Sequence, residues 1–249
     1  MNLAEFFAEH NKIALAFSGG VDSSYLLYAA LHYGATVKAY YVKSAFQPEF
    51  ELLDAGRLQR ELNADVDVIE VDVLNNSQIT DNPANRCYYC KKRIFDAILT
   101  SAAEDGFTEI MDGTNASDDI NDRPGFVALQ EMKVLSPLRE CGITKAEVRR
   151  LSEEAGLFTC DKPSYACLAT RISTGDKITA EKLAITEDAE VFLSEMGFKD
   201  FRVRMDSDGA ARIQLKEDQW DLYEEQEDII TYRLSLNYSR VYLDREVKR

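Results

Sequence analysis

The sequence predicts an α/β fold in which a parallel sheet carries helices on both faces and a smaller α+β unit follows. Three observations lead there. Short apolar runs alternate with segments of helical spacing from Ile13 to Asp112, and strands joined through helices pair in parallel. The first apolar run ends in a Gly-rich turn that opens directly into a helical pattern. Beyond Ile178 the order changes to helix, hairpin, helix and strand.

Taken in order, Met1 to Asn11 reads as a short helix ahead of the sheet. Ile13 to Phe17 has the length of a buried strand, and Val21 to Leu31 follows with helical spacing. Thr36 to Val42, rich in Val and Tyr, is a second strand. Pro48 to Leu62 is helical, with Leu52, Leu53, Leu58 and Leu62 recurring, and Val66 to Val73 returns to strand. Asn75 to Asn85 is polar and turn-rich; it leads into a helix that begins with Arg86-Cys-Tyr-Tyr-Cys-Lys-Lys92 and runs to about Glu104. Glu109 to Asp112 is a fourth strand, closing on Gly113-Thr114-Asn115. Asp118 to Phe126 reads as a loop with Arg123-Pro124-Gly125 at its tip, and Leu135 to Leu138 as a short extended piece. Thr144 and Glu147 have the spacing of a capping box, for a helix ending near Gly156. Cys160 to Arg171 has neither period and reads as a loop. Thr179 to Met196 is helical, and Phe201 to Met205 and Ala210 to Leu215 flank the hairpin signal Asp206-Ser-Asp-Gly209. Gln219 to Tyr232 is a further helix and Ser239 to Leu243 a last strand. A boundary near Gly175 gives domains 1–175 and 176–249.

The chain has 249 residues, 45% hydrophobic and 29% charged, enough for a full core in one large or two unequal domains. Its 44 acidic against 29 basic residues leave a formal net charge of −15. Nucleic-acid binders carry a basic face, so no nucleic-acid partner is expected. No apolar run reaches the roughly 20 residues of a membrane helix, so no membrane association is expected either. The N-terminus lacks a basic segment followed by an apolar one. Five cysteines, an odd number, do not form a disulfide framework. Both points predict a cytoplasmic protein with reduced thiols.

Chemistry concentrates first in Ser18-Gly19-Gly20-Val21-Asp22-Ser23-Ser24. A strand, a tight turn and a helix start gather unpartnered amides around one concave spot, and the positive end of the helix dipole favours an anion there. Adjacent glycines let the backbone approach that anion without a Cβ in the way. Ser18, Ser23 and Ser24 add hydroxyl donors, and Asp22 suits either the turn or a magnesium ion. No Lys follows the glycines, so this is not the Walker loop. Gly113 and Thr114 end the fourth strand. Ligands of parallel sheets lie at such strand ends, so the two turns are expected to face one pocket.

The 18–24 stretch resembles the SGGxDS signature of the PP-loop ATP pyrophosphatases, which split ATP between the α and β phosphates. Three further blocks narrow the resemblance: Asn82-Pro-Ala-Asn-Arg-Cys-Tyr-Tyr-Cys-Lys-Lys92; Gly113-Thr-Asn-Ala-Ser-Asp118 with Arg123-Pro-Gly125; and Lys162-Pro-Ser-Tyr-Ala-Cys-Leu-Ala-Thr-Arg-Ile172, followed by Phe201-Arg-Val-Arg204. Together, from Phe17 to about Leu215, they resemble the LarE-type ATP-dependent sacrificial sulfur transferases. The resemblance implies a Rossmann-like domain of the adenine nucleotide alpha hydrolase type that carries the PP-loop, plus a small domain for substrate binding and oligomerisation. It implies that ATP, with Mg2+, adenylates a carboxylate of a pyridinium dicarboxylate mononucleotide. A cysteine thiolate then displaces AMP to form a thioester. Cleavage of the cysteine C–S bond leaves a thiocarboxylate on the product and dehydroalanine on the protein, a step in making the nickel-pincer nucleotide cofactor.

The donor cysteine of that scheme falls on Cys167, with Asp22 as the second catalytic residue. Ser18, Gly19, Gly20, Asp22, Ser23, Ser24, Gly113, Thr114 and Arg171 are the expected ATP and pyrophosphate ligands, and Glu190, Arg202 and Arg204 the substrate ligands. Positive neighbours favour the thiolate that acts as nucleophile, and Lys162 and Arg171 lie close to Cys167 in sequence. Arg171 is equally able to grip a phosphate bidentately. Arg202 and Arg204 alternate along one strand and so share a face, which suits a mononucleotide phosphate. Glu190 rests on the resemblance alone. Cys87 and Cys90, at i and i+3, read as packing residues, with metal binding and redox activity as alternatives. No dedicated metal site is expected. Some LarE-type members hold an iron–sulfur cluster on three clustered cysteines. Here only Cys160 precedes Cys167 nearby, which favours the sacrificial route and leaves the cluster route open. A tRNA thiolase, an amide-forming synthetase and a non-catalytic nucleotide-binding module are the competing readings. The expected partners are a small nucleotide substrate and further copies of the chain.

Overall fold

The computed structural model describes residues 1–119 and 124–246. Packing divides the chain into two compact units, Met1–Val73 with Asn85–Pro163, and Leu74–Ala84 with Ser164–Arg249.

In the first unit, α1 (Leu3–Glu9) is closed by a capping box in which Asn2 accepts the Glu5 amide and the Glu5 carboxylate accepts the Asn2 amide, both at 2.9 Å. β1 (Lys12–Phe17), α2 (Val21–His32), β2 (Thr36–Lys43), α3 (Glu49–Leu62) and β3 (Asp65–Glu70) follow as successive βα steps. Ile13, Ala14 and Leu15 are wholly buried, because β1 is central and covered on both faces, which is why its sequence shows no alternation. β3 is an edge strand, and there Val66 is buried while Val68 is exposed. The chain then leaves for the second unit through α4 (Ser77–Thr80) and returns as α5 (Arg86–Glu104).

β4 (Ile110–Met111) pairs with β1 on the side away from β2, so the all-parallel sheet runs β3-β2-β1-β4. Connections leave β1 towards one side and later reach β4 on the other. Such a switch point opens a crevice at the carboxyl ends of the two strands, where Ser18 and Asp112 stand. The expected loop over 118–126 is corrected in part. Pro124 opens α6 (Pro124–Glu131), since a proline in the first turn lacks only an amide that would have no helical partner; Arg123 lies outside the described residues. Leu135 bridges to Met111 as an extended residue, but Pro137 starts the short α7 (Pro137–Glu140). Thr144 caps α8 (Lys145–Glu154) by accepting the Glu147 amide at 3.3 Å.

The second unit begins with a surprise for the boundary expected at Gly175: the division falls after Pro163 and takes in Leu74–Ala84. Hydrogen bonds explain this. Asn82, left-handed at φ 54, donates its side-chain amide to the carbonyls of Ile172 (3.3 Å) and Ser173 (2.8 Å), and its own carbonyl accepts the Gly175 amide. Cys160–Arg171 is irregular as expected, except that Leu168–Arg171 tightens into a 3-10 turn. Thr179 caps α9 (Ala180–Glu195). β5 (Arg202–Met205) and β6 (Ala211–Gln214) form the expected antiparallel hairpin, with Gly209 at φ 81 in its turn. α10 (Trp220–Leu234) leads to β7 (Val241–Leu243), which pairs in parallel with β6. Among the described residues no helix is long and apolar enough to cross a membrane.

Candidate functional site

The phosphate-loop candidate belongs to the first unit. Gly19 stands at φ 70, and a Cβ there would lie 3.4 Å from the Glu51 carbonyl; glycine alone takes that conformation without strain. Gly20 is the N-cap of α2 and supplies no side-chain cap, which leaves the opening amides of the helix without a capping acceptor. Those amides are the anion-binding feature of the loop. The serines act differently from expectation. Ser23 and Ser24 are buried and donate to the Gly20 carbonyl at 3.2 and 2.8 Å. Ser23 Oγ also accepts the Ser18 amide at 3.3 Å and lies 3.1 Å from Ser18 Oγ. These hydroxyls shape the turn, and of the three serines only Ser18 is exposed.

The turn after β4 meets that loop directly. A Cβ at Gly113 would stand 3.0 Å from the Ser23 amide nitrogen and 3.2 Å from the Asp22 Cβ. Gly113 is therefore required by backbone approach rather than by a turn. Thr114 faces its own strand end, donating Oγ1 to Asp112 at 2.6 Å, and buried Asp112 also accepts Ser136 Oγ at 2.8 Å. Asn115 reaches across to Asp22 Oδ1 at 3.2 Å, while Lys145 Nζ pairs with Asp22 Oδ2. Both Asp22 oxygens are thus engaged, and a magnesium ion would reach this carboxylate by displacing Lys145. A single carboxylate beside nucleotide phosphates is a common arrangement for that ion. Among the described residues no group of three or more His, Cys, Asp or Glu side chains is placed to hold a metal.

Two lysines at this loop were not expected there. Lys162, read from sequence as a neighbour of Cys167, donates to the Gly19 carbonyl at 3.1 Å and pairs with Asp54 at 2.6 Å. Arg149 fixes the strand of chain that delivers it, donating to the carbonyls of Cys160 and Lys162. Lys145 was missed altogether. One signal was available, because it occupies the first position of a capped helix, where the dipole disfavours a cation.

The sulfur-site candidate belongs to the second unit. Arg171 is 1% exposed. It gives Nε to Glu190 Oε1 at 2.7 Å and Nη2 to Oε2 at 3.1 Å, and Nη1 to the Ala166 carbonyl at 3.0 Å and Thr170 Oγ1 at 2.8 Å. Arg202 donates to the carbonyls of Ser164 and Phe201, each at 2.6 Å. Arg204 donates to the Thr170 carbonyl and, at 2.8 Å, to Gln214 Oε1. Carbonyls on both sides of Cys167 are therefore held by three different guanidinium groups. Cys167 itself is half-buried at the start of the 3-10 turn, and its carbonyl accepts the Thr170 amide and hydroxyl. Glu190 completes the cluster by accepting Tyr165 Oη at 2.5 Å and the Val203 amide at 2.9 Å.

The electrostatics follow from three cations and two carboxylates, Glu190 on Arg171 and Asp200 at 3.7 Å from Arg202. Burial works against the Arg171 charge, yet the Glu190 hydrogen bonds outweigh it, and the fields of Glu190, Tyr165 and Cys167 hold its pKa above the usual guanidinium value. That attraction is mutual, so Arg171 favours negative charge on the Cys167 sulfur. Arg204 is pushed the other way, first by burial and then by Arg171, Arg212 and Arg202. A surplus of positive charge around Arg204 invites an anion. Gln214 sets its aim: Nε2 donates to Asp244 at 2.9 Å, which turns Oε1 towards Arg204.

The expected site residues fall into two groups, one in each unit. Ser18, Gly19, Gly20, Asp22, Ser23, Ser24, Gly113 and Thr114 gather at one loop. Cys167, Arg171, Glu190, Arg202 and Arg204 form one cluster. Arg171, expected at a phosphate, has its fork filled by Glu190 and serves the cysteine loop instead. Neither Arg202 nor Arg204 lies on a solvated strand face. No disulfide joins the five cysteines, and Cys87 is exposed rather than packed.

No family model matches the chain. It is 36% identical over 221 residues to an uncharacterised protein of Synechocystis, covering 88% of this chain and 81% of the relative. It is 33% identical over 208 residues to a pyridinium-3,5-bisthiocarboxylic acid mononucleotide synthase of Lactiplantibacillus plantarum, covering 83% of this chain and 75% of that enzyme. A weaker likeness, 26% over 194 residues, links 61% of the chain to 54% of a tRNA-specific 2-thiouridylase of a Thermotoga species.

Proposed function

The chain belongs to the LarE-type family of PP-loop, ATP-using sulfur transferases, and we propose that it converts a carboxylate of a pyridinium dicarboxylate mononucleotide into a thiocarboxylate, with Cys167 as the sulfur source. A substrate carboxylate oxygen attacks the α-phosphorus of ATP, and pyrophosphate leaves into the opening amides of α2. The Cys167 thiolate then attacks the acyl carbon, forming a thioester as AMP departs with its bridging oxygen. Loss of the Cys167 α-proton to a base breaks the Cβ–S bond. The sulfur and its electron pair stay with the product, and dehydroalanine remains in the chain. Arg202 and Arg204 are the groups we assign to the substrate phosphate, and Asp22, released from Lys145, to the magnesium that accompanies ATP.

One observation carries this reading: Arg171, Arg202 and Arg204 anchor the main chain on both sides of Cys167, and Arg171 and the Cys167 sulfur attract one another electrostatically. Intact-protein mass after incubation with ATP, magnesium and the dicarboxylate mononucleotide tests it. The expected result is one turnover per chain and a protein lighter by one hydrogen sulfide. Cys167→Ser should still release pyrophosphate and form no sulfur-containing product. Many turnovers without added sulfur and with Cys167 intact would overturn the proposal. So would iron and labile sulfide in anaerobically purified protein, with activity lost in Cys160→Ser.

A further inference from the structure

Two thiols on α5 take no part in the chemistry above. α5 starts at Arg86, so Cys87 and Cys90 both lie in its opening turns, three residues apart on one face. From the rise and radius of an ideal helix, such residues have Cα atoms about 5 Å apart, inside the roughly 4.4–6.8 Å range of a disulfide. Their Cβ atoms, about 5–6 Å apart, must close to about 4 Å. The first turn is where a helix yields most readily, and Asn85 gives α5 no side-chain cap to stiffen it.

The surroundings divide the two thiols into distinct roles. Cys87 is exposed and Cys90 half-buried. The first turn of α5 holds no acidic residue, and Arg86, Lys91, Lys92 and Arg93 flank the pair in sequence. Facing it is Gly125 of α6, where a Cβ would lie 3.8 Å from Cys87 Cβ and 3.3 Å from Lys91 Cγ. A glycine at this point leaves the outer sulfur open to a reactant.

We propose that Cys87 and Cys90 form a reversible dithiol–disulfide site whose co-reactant is a low-molecular-weight disulfide. The Cys87 thiolate attacks one sulfur of the small disulfide, forming a mixed disulfide and releasing one thiolate. The Cys90 thiolate then attacks the Cys87 sulfur and expels the second thiolate. Two electrons and two protons leave the protein, and the small disulfide is reduced to two thiols. Closing the Cβ gap strains the product, and strained, exposed disulfides are readily reduced. The site therefore cycles instead of locking the fold.

The test uses the reduced full-length chain, oxidised glutathione as the probe, alkylation, and peptide mass mapping. The parent should lose the mass of two hydrogens, mapped to a Cys87–Cys90 bond that dithiothreitol reverses. Cys90→Ser should accumulate glutathione on Cys87 at least tenfold above the parent, and Cys87→Ser should remain largely unmodified at Cys90. Circular dichroism checks folding of each variant, with Cys90→Ala as the substitute if the serine is not tolerated. Equal, stable glutathione adducts on Cys87 in parent and Cys90→Ser would overturn the proposal by reducing Cys87 to an exposed thiol. So would an absence of reaction, or pairing of Cys87 with any other cysteine.

Discussion

Glu190→Gln is the sharpest test of how the cysteine loop is held. The substitution keeps the side-chain volume and removes a charge and one acceptor. Glu190 and Arg171 have side chains 7% and 0% exposed, so solvent cannot take over the lost interaction. In the parent the two carboxylate oxygens accept four donors, from Arg171 twice, Tyr165 and Val203. A carboxamide turns one of those oxygens into a donor. If its nitrogen replaces Oε2, it faces Arg171 Nη2, a donor that cannot reverse, and Tyr165 Oη, a hydroxyl that can. Breaking a buried pair from one side costs about 3–5 kcal/mol, because it leaves the other charge uncompensated. Urea unfolding followed by circular dichroism should show a loss of at least about 3 kcal/mol. Alkylation of Cys167 by iodoacetamide should accelerate as its loop loosens. Arg171→Met in the same chain should restore part of the stability, since removing both charges also removes the orphaned cation. The coupling between the two substitutions should be about 2 kcal/mol or more. A single Glu190→Gln variant within about 1 kcal/mol of the parent, or strictly additive effects in the double variant, would refute the reasoning.

Four further outcomes follow from the same geometry. Gly113→Ala drives a Cβ to 3.0 Å from a backbone nitrogen and should cost about 1–3 kcal/mol of stability and at least tenfold in ATP affinity. Gly20→Ala meets only Ser18 Oγ at 3.4 Å, so it should fold like the parent in thermal melts and show its effect in pyrophosphate release. Lys145→Met frees the Asp22 carboxylate from its cation and should lower the magnesium concentration at which pyrophosphate release is half-maximal, while leaving the reactivity of Cys167 unchanged. Gln214→Leu removes the acceptor that aims Arg204 and should raise KM for the mononucleotide several-fold with little change in KM for ATP; an equal rise in both would defeat that assignment.

The fold was legible wherever burial imposes a period. β1, α2, β2, α3, α5 and α9 lie within a residue or two of their expected bounds, because each has a buried face that dictates its apolar spacing. α6 was not legible, since Pro124-Gly125 is a turn signal out of context and reads as a helix start only once Gly125 is seen packed against Lys91 and Cys87 of α5. Packing divides the chain after Pro163 rather than near Gly175 for a related reason. Asn82 joins the second unit through hydrogen bonds to Ile172 and Ser173, and bonds between residues so far apart in sequence leave no local pattern. At the site, residue types were readable and their partners were not. Arg171, Arg202 and Arg204 were picked out as cations suited to phosphate, but nothing in their spacing shows three guanidinium groups bound to carbonyls around one cysteine.

That arrangement carries a physical consequence for how the chain divides its labour. A guanidinium that donates to a main-chain carbonyl gives geometry without neutralising its own charge, because the carbonyl is only a dipole. Arg204 does this, whereas Arg171 takes a bidentate carboxylate and Arg202 has Asp200 at 3.7 Å besides its carbonyls. The cluster therefore fixes the cysteine loop and still retains positive charge at Arg204, whose pKa is lowered first by burial and then by Arg171, Arg212 and Arg202. Had acidic side chains held the same loop, its main chain could be equally well ordered, but the field at the sulfur would oppose a thiolate and repel an anionic substrate. The phosphate loop shows a related economy. Lys162 anchors the Gly19 carbonyl, and its charge is offset by Asp54, while Lys145 is matched by Asp22. With its lysines paired, attraction for an anion at that loop falls to the uncapped amides of α2, and Gly19 at φ 70 and Gly113, where a Cβ would stand 3.0 Å from the Ser23 nitrogen, are the residues whose lack of a side chain lets the backbone take that shape.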